Sequence, residues 1–390
     1  MIFDTPTLGA EELAVLELLE EQRAQLRDRV AEPRRWNGSL RRMAFARAVQ
    51  GSNSIEGYNA SLDDVVAAVE GEPTLDAEQE TQLALTGYRD AMTYVLQIAD
   101  DTTLEVDEGL LKSLHFMMLK HDLSKHPGRW RPGAIHIHRE QTDEIVYEGP
   151  ASDLVPALIG EMLQSIEEDG SPVVVKAAMA HLNLAMVHPF SDGNGRMACC
   201  LQTLVLARDR VVAPVFSSIE EFLGRNTEAY YQVLENVGAG AWHPERDARP
   251  WLRFCLRAHH FQGLTTMRRR KEIEQVWLGC VDLAEARGLP ERCAAGLMDL
   301  TFGLRLRRGT YRSSIETALG EGISDLKASR DLRAMVDSEL VEAVGERRGR
   351  YYLAGDPLVE LRRKVRAERP EKAHDDPFQV VRDRRQLRLA

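Results

Sequence analysis

The sequence predicts a mainly α-helical protein with one short β-hairpin and, near its C-terminus, a helix–turn–helix module with a hairpin wing. Three observations point there. Apolar residues recur at helical spacing among charges, as with Leu13, Leu16, Leu19 and Leu26. Alternation, the mark of a strand, appears in residues 134–138 and around Ile145-Val146-Tyr147, with the polar run 139–144 between them. A second strand pair, 340–344 and 350–353, flanks the turn Gly345-Glu346-Arg347-Arg348-Gly349 and follows helix-like segments.

Taken in order, residues 8–31 predict an amphipathic helix. A basic stretch, 34–42, leads into a helix that carries Glu56. Residues 107–118 and 153–166 predict further helices on either side of the first hairpin. Two apolar, helix-forming runs follow, 173–187 and 197–207, so 188–196 is a loop that opens a helix. The turn-rich segment 241–250 precedes a helix over 251–265 and then a charged helix over 267–285, broken by Gly288-Leu289-Pro290. Residues 324–330 and 331–338 resemble the later helices of a winged helix, with 328–336 as its recognition helix. Arginines on that helix and at the wing tip sit where phosphates would be met. The charged tail after Pro357 predicts a helix followed by a flexible end.

The 390 residues, 44% of them apolar, support two or three domains with ample core. A net charge of −11 argues against a chain that coats nucleic acid as a whole, although one basic module could still contact DNA. The five cysteines (199, 200, 255, 280 and 293) show no disulfide spacing, which fits a reducing cytoplasm. No signal peptide and no apolar run near the ~18 residues of a membrane span is evident, so a cytoplasmic protein without a membrane is expected.

The loop at 188–196 carries the chemistry. It reads His188-Pro189-Phe190-Ser191-Asp192-Gly193-Asn194-Gly195-Arg196. A titratable base, a carboxylate, a Gly-Asn-Gly turn and an arginine lie at the start of a helix. Unsatisfied N–H groups there make an anion site, and the glycines allow close approach of a phosphate.

The string resembles the signature of the Fic (Fido) family, His-x-Phe-x-Asp/Glu-Gly-Asn-Gly-Arg-x-x-Arg, and the resemblance extends over most of 40–240. It implies a Fic-type helical bundle with a β-hairpin flap. It also implies transfer of AMP from ATP to a Ser, Thr or Tyr hydroxyl of a target protein. By that resemblance His188 is the general base and Asp192 holds Mg²⁺. Gly193, Asn194 and Gly195 form the anion hole, Arg196 neutralises the leaving pyrophosphate, and Phe190 anchors the loop. The second arginine of the signature is here Cys199, a short and normally neutral side chain. That leaves one cation fewer for the β/γ end of ATP.

A second motif, Ser52-Asn53-Ser54-Ile55-Glu56-Gly57, resembles the family's inhibitory motif and lies upstream of the main one. In the resemblance its glutamate pairs with the second arginine. With Cys199 there, Glu56 either pairs with Arg196 or repels the phosphates directly. Ser52, Glu56 and Gly57 are thus the candidate brake. Val146, Tyr147 and Glu148 fall in the flap that would clamp a target segment. The tandem prolines usual after its second strand appear as Glu148-Gly149 followed by Pro150. Tyr230 and Tyr231 match a position near the adenine and ribose. His136, His138 and Glu140 share a strand face, a polar outer face or a metal site.

The expected organisation is an N-terminal helical region (1–100) with an inhibitory helix at about 45–60, a Fic core (101–266), a connecting helix (267–289), a winged-helix-like domain (290–356) and a charged tail (357–390). The expected function is an autoinhibited protein adenylyltransferase using ATP and Mg²⁺. Its partner is a target-protein hydroxyl, with self-modification, DNA contact through 290–356 and a homodimer as further expectations. Two alternatives stay open. Cys199 could redirect the same chemistry to another nucleotide donor or to removal of AMP. Otherwise the chain is a DNA-binding regulator with a degenerate site.

Overall fold

Leu16, Leu19 and Leu26 line the buried side of the first helix, α1 (Ala10–Ala31), while Leu13 faces solvent. The computed structural model describes the chain except residues 33, 102, 140–143, 209–213, 347–348, 370–374 and 390. After α1 come α2 (Asn37–Ile55), α3 (Leu62–Val69), α4 (Gln79–Ile98) and α5 (Glu108–Leu119). Ser61 and Asp107 start α3 and α5 by accepting from the backbone N–H three residues on, at 3.1 and 2.7 Å. A short 3-10 turn, Leu123–Lys125, follows. Strands β1 (His136–Arg139) and β2 (Glu144–Glu148) pair antiparallel, with His136 opposite Glu148, Ile137 opposite Tyr147 and an irregularity between Ile137 and His138.

The centre is helical again: α6 (Val155–Glu168), α7 (Val173–Val187), α8 (Asn194–Arg208), α9 (Pro214–Ser217), α10 (Glu220–Arg225) and α11 (Thr227–Gly238). α7 and α8 are apolar on nearly every face and are buried at the heart of the first core. Next comes α12 (Arg249–Ala286), then α13 (Cys293–Thr301), α14 (Arg308–Leu319), α15 (Asp325–Asp337) and the hairpin β3 (Val341–Val344) and β4 (Tyr351–Ala354). Leu306 and Tyr352 exchange backbone hydrogen bonds of 3.0 and 2.8 Å, adding a single bridge beside that hairpin. α16 (Asp356–Ala367) and α17 (Pro377–Leu389) end the chain.

Three expectations change. The helices expected at 251–265 and 267–285 are one 38-residue helix, α12. No proline interrupts 251–286, and Gly263 and Gly279 are tolerated in a helix held by packing on both halves. Its first half gives Trp251, Leu252 and Leu256 to the first core. Its second half gives Ile273, Val276 and Trp277 to the second. The segments 324–330 and 331–338 are likewise one helix, α15. The end of the tail is also ordered. α17 docks on α1 and α12 with Phe378 buried, the Arg253 and Arg257 guanidinium groups over its ring, and Asp376 paired with Arg257 at 2.6 Å. A mostly charged sequence holds here because two arginines on α12 stack on one aromatic anchor.

α2 is gripped on both sides. A Cβ at Gly38 would run into the Thr317 carbonyl of α14, and one at Gly51 into the Glu220 carbonyl of α10. Between them Arg42, buried, pairs with Glu70 at 2.6 Å and with Asp299 of α13, and donates to Ser314 Oγ at 3.0 Å. The helix that ends at Glu56 therefore touches both cores. Among the described residues no helix is long and apolar enough to cross a membrane.

Candidate active site

α7 stops at His188, whose φ of +50° and ψ of +59° are left-handed, because Pro189 cannot continue the helix. The loop that follows is pinned from three sides. Arg131 donates from its backbone N–H to the Pro189 carbonyl and from Nε to the His188 carbonyl, both at 2.8 Å. Phe190 is fully buried, stacked on His115 with ring centroids 3.7 Å apart and planes at 5°. Asn194 closes the loop on itself. Its Oδ1 accepts from Phe190 N–H and its Nδ2 donates to the Phe190 carbonyl, both at 2.9 Å. His115 accepts at Nδ1 from Gly128 N–H (2.8 Å), so its proton sits on Nε2, which donates to the Asp192 carbonyl (2.9 Å). Gly193 has φ +76°, and a Cβ there would come 3.0 Å from Leu119 Cδ1. Only glycine suits both the backbone and the space.

The side chains left facing the loop are His188, Asp192 and Arg196. Nδ1 of His188 lies 3.2 Å from the Ala185 carbonyl, which can only accept, so the proton is on Nδ1 and the Nε2 lone pair is free. Burial, with the Arg131 cation adding to it, pushes its pKa down to about 4. The ring is therefore neutral and able to accept a proton at neutral pH.

Arg196 is fully buried. Its Nε is bonded to the Glu56 carboxylate, and its backbone N–H donates to Glu56 Oε1 at 3.1 Å. Its Cζ sits 4.9 Å from the centre of the Tyr58 ring. Nη1 and Nη2 find no hydrogen-bond partner among the described residues. Burial works against its charge, but Glu56 and Asp192 hold its pKa above the ordinary value. Asp192 accepts from Gly193 N–H at Oδ1 (2.6 Å) and pairs at Oδ2 with Lys125 Nζ (2.6 Å). Burial would raise its pKa, yet Lys125 and Arg196 bring it below the usual carboxylate range.

Residues 105–206 match the model of the Fic/DOC family. That stretch of the chain is a Fic/DOC-type domain. It is 27% identical over 221 residues to the protein adenylyltransferase Fic of Nematostella vectensis, covering 55% of this chain and 47% of that protein. It is 33% identical over 122 residues to the protein adenylyltransferase fic-1 of Caenorhabditis elegans, covering 29% and 21%. The chain thus spans less than half the length of either relative. In fold it is similar to a Fic family protein from Desulfovibrio desulfuricans, with a TM-score of 0.57 at 21% identity over 90% of this chain and 98% of that one. Fic-1 of C. elegans (residues 134–508) gives 0.50 at 20% identity, over 67% and 76%.

Of the residues expected in the candidate site, His188, Phe190, Asp192, Gly193, Asn194, Gly195, Arg196 and Glu56 meet around one loop. Of the two routes open to Glu56, the contact made is with Arg196. Gly195 is where Glu56 enters, since a Cβ there would stand 3.1 Å from Oε1. Gly57 has φ +84° and turns the chain after α2. Ser52 lies elsewhere, buried in a polar cluster. It donates to Tyr88 Oη, which donates to Glu220, both at 2.8 Å. Cys199 is buried beside this cluster, where burial pushes its thiol well up.

The tyrosine pair divides. Tyr230 is buried, with its hydroxyl 3.0 Å from His181 Nε2 and its ring near Trp251. Tyr231 is 46% exposed and donates to the Ile55 carbonyl at 2.5 Å. Successive helix positions point about 100° apart, so one ring turns to the core and the other to the surface, with their centroids 5.3 Å apart. In the flap, Tyr147 turns inward to donate to the Met186 carbonyl (2.8 Å), Val146 is half-buried and Glu148 exposed. Glu140 of the histidine face and the wing-tip residues Arg347 and Arg348 lie outside the described residues.

Sequence reasoning missed His115, Lys125, Arg131 and Tyr58. Three of them reach the loop from other elements, so nothing near 188–196 announces them. Tyr58 directly follows the Glu56-Gly57 pair and could have been read from that position.

Proposed function

We propose that this chain is a protein adenylyltransferase that moves AMP from ATP to a Ser, Thr or Tyr hydroxyl of a target protein, with Glu56 as its brake. One observation carries the reading. A neutral His188 with a free Nε2 stands beside a helix start whose buried guanidinium keeps two unpaired nitrogens. Buried donors without partners are costly, and phosphate oxygens would satisfy them. That supports ATP as the donor.

In this reading the target hydroxyl loses its proton to His188 Nε2 as its oxygen attacks the α-phosphorus. The bond from that phosphorus to the bridging oxygen breaks, and pyrophosphate leaves against Arg196 and the N–H groups at the start of α8. Asp192 would hold Mg²⁺, since an ionised carboxylate beside phosphate oxygens suits that ion. When bound, the ion neutralises charge on the phosphates. Glu56 blocks the site because its carboxylate already sits on Arg196 N–H and Nε. The exposed Ile145 on β2 supports the flap as a docking strand for an extended target segment.

The test is intact-mass analysis after incubation with ATP and Mg²⁺. The Glu56→Gly protein should gain one AMP mass per modified hydroxyl, on itself or on added target, and the Glu56→Gly/His188→Ala protein none. Labelling that survives loss of His188 would defeat the reading. A second reading, another nucleotide donor or removal of AMP, is favoured by the neutral, buried Cys199 and the engaged Glu56. A panel of nucleoside triphosphates in the same assay separates the two, because ATP as sole donor would dismiss it.

A further inference from the structure

We propose that Lys125 is the second cation of the polyphosphate site, tied off by Asp192 and Tyr58 while Glu56 occupies Arg196. This rests on the adenylyltransferase reading and assigns the chemistry of the β/γ end of the donor.

The first argument is charge. Four ionised side chains meet at the loop: Glu56 and Asp192 against Lys125 and Arg196, a net of zero. If Glu56 withdraws and Arg196 is the lone side-chain cation, it faces Asp192 and, before any Mg²⁺ enters, the side chains again sum to zero. With Lys125 counted the net is +1. α8 offers no other cation on that face, because Cys199, three residues after Arg196, is buried in the polar cluster of Ser52 and Glu220. A second side-chain cation, beside any Mg²⁺ on Asp192, would come from another element, and the 3-10 turn that ends at Lys125 offers one.

The second argument is reach. The Lys125 side chain keeps a quarter of its surface exposed, so its long stem can swing. The turn beneath it is fixed, with Asp122 accepting from Ser124 N–H at 3.0 Å. Lysine serves phosphates as a movable point charge and needs no fixed fork geometry.

The third argument is the link to the brake. Lys125 Nζ donates to Tyr58 Oη at 3.1 Å, and the same ring lies against the Arg196 guanidinium. Tyr58 is two residues past Glu56, across the turn at Gly57. A movement that lifts Glu56 from Arg196 would take Tyr58 with it and uncover both cations together. The brake is then a double latch, with the carboxylate on one cation and the phenol on the other.

The test uses the full chain and three proteins: Glu56→Gly, Glu56→Gly/Lys125→Ala and Glu56→Gly/Lys125→Arg. Binding of ATP, ADP and AMP is measured by calorimetry at one fixed Mg²⁺ concentration, with melting curves to verify folding. Lys125→Ala should weaken ATP by about tenfold or more and leave AMP within about twofold. Lys125→Arg should recover most of the loss. Unchanged or tighter ATP binding in Lys125→Ala would overturn the proposal, marking Lys125 as a mere counter-ion of Asp192. Equal losses for ATP and AMP would overturn it too. In either case the adenylyltransferase reading stands if Glu56→Gly still binds ATP and labels itself or a target. Failure of Glu56→Gly to bind any nucleotide sinks both.

Discussion

Removing the Glu56 carboxylate should cost the empty protein stability and then let a polyphosphate restore it. The variant of choice is Glu56→Ala, because the backbone there (φ −102°, ψ +21°) suits alanine without the added freedom of glycine. Arg196 is fully buried, two of its guanidinium nitrogens are unpaired, and its third bonds Glu56. Once Glu56 is gone, the nearest carboxylate is Asp192 at 3.9 Å, already shared with Lys125. Breaking a buried ion pair from one side costs about 3–5 kcal/mol. Glu56 keeps 15% of its side chain exposed, so water can enter the gap and a loss of about 2–3 kcal/mol is expected. Urea denaturation of both proteins, with and without ATP, reads this. At a hundred times its Kd, a ligand adds about 2.7 kcal/mol to the native state. ATP should therefore return the variant to near wild-type stability and move the wild type little. A variant as stable as the wild type, or an equal gain from ATP in both proteins, would refute the reasoning.

Other outcomes follow from the same geometry. Asn194→Ala should lose about 2–4 kcal/mol in denaturant melts, since it unpairs the buried N–H and carbonyl of Phe190 together. Arg42→Ala should cost about 3–5 kcal/mol, because Glu70 and Asp299 are left buried without their cation. The Arg42→Ala/Asp299→Asn pair should lose less than the sum of its parts, and strict additivity would speak against the network. Stability should also fall in mild acid. Burial holds His115 and His181 at about 4 against an ordinary 6.5, so below that value the unfolded chain binds protons that the folded one refuses. Their contribution is complete above about pH 6.5 and is lost as pH falls toward 4, at about 1.4 kcal/mol per pH unit for each group. Urea midpoints at pH 7.5, 6 and 5 check the slope, and a flat series would contradict it.

The helix that ends at Glu56 is held along its whole length. α2 carries Glu56 at its end, Gly51 against α10 in its middle and Arg42 bound to α13 and α14 near its start.

Local elements were legible from the residues alone. The ends of α7 and α8, the loop between them, the hairpin of β1 and β2 and the course of α1 follow from apolar spacing and from Pro and Gly placement. Each of these acts within a window of a few residues. The make-up of the candidate site was legible for the same reason, because its histidine, carboxylate, turn and arginine lie within nine residues. Tertiary structure decided what depends on distant neighbours. Packing against two cores made α12 continuous, and Phe378 turned a charged tail into a docked helix. The burial of Tyr230 and exposure of Tyr231 came from which helix face met Trp251 and His181. The roles of His115, Arg131 and Lys125 rest on contacts across 57 to 77 residues of chain. Glu56 had two routes open to it from the sequence. What settled the contact was that α10, α13 and α14 hold α2 where its carboxylate meets Arg196, while Cys199 lies buried and neutral one turn further along α8.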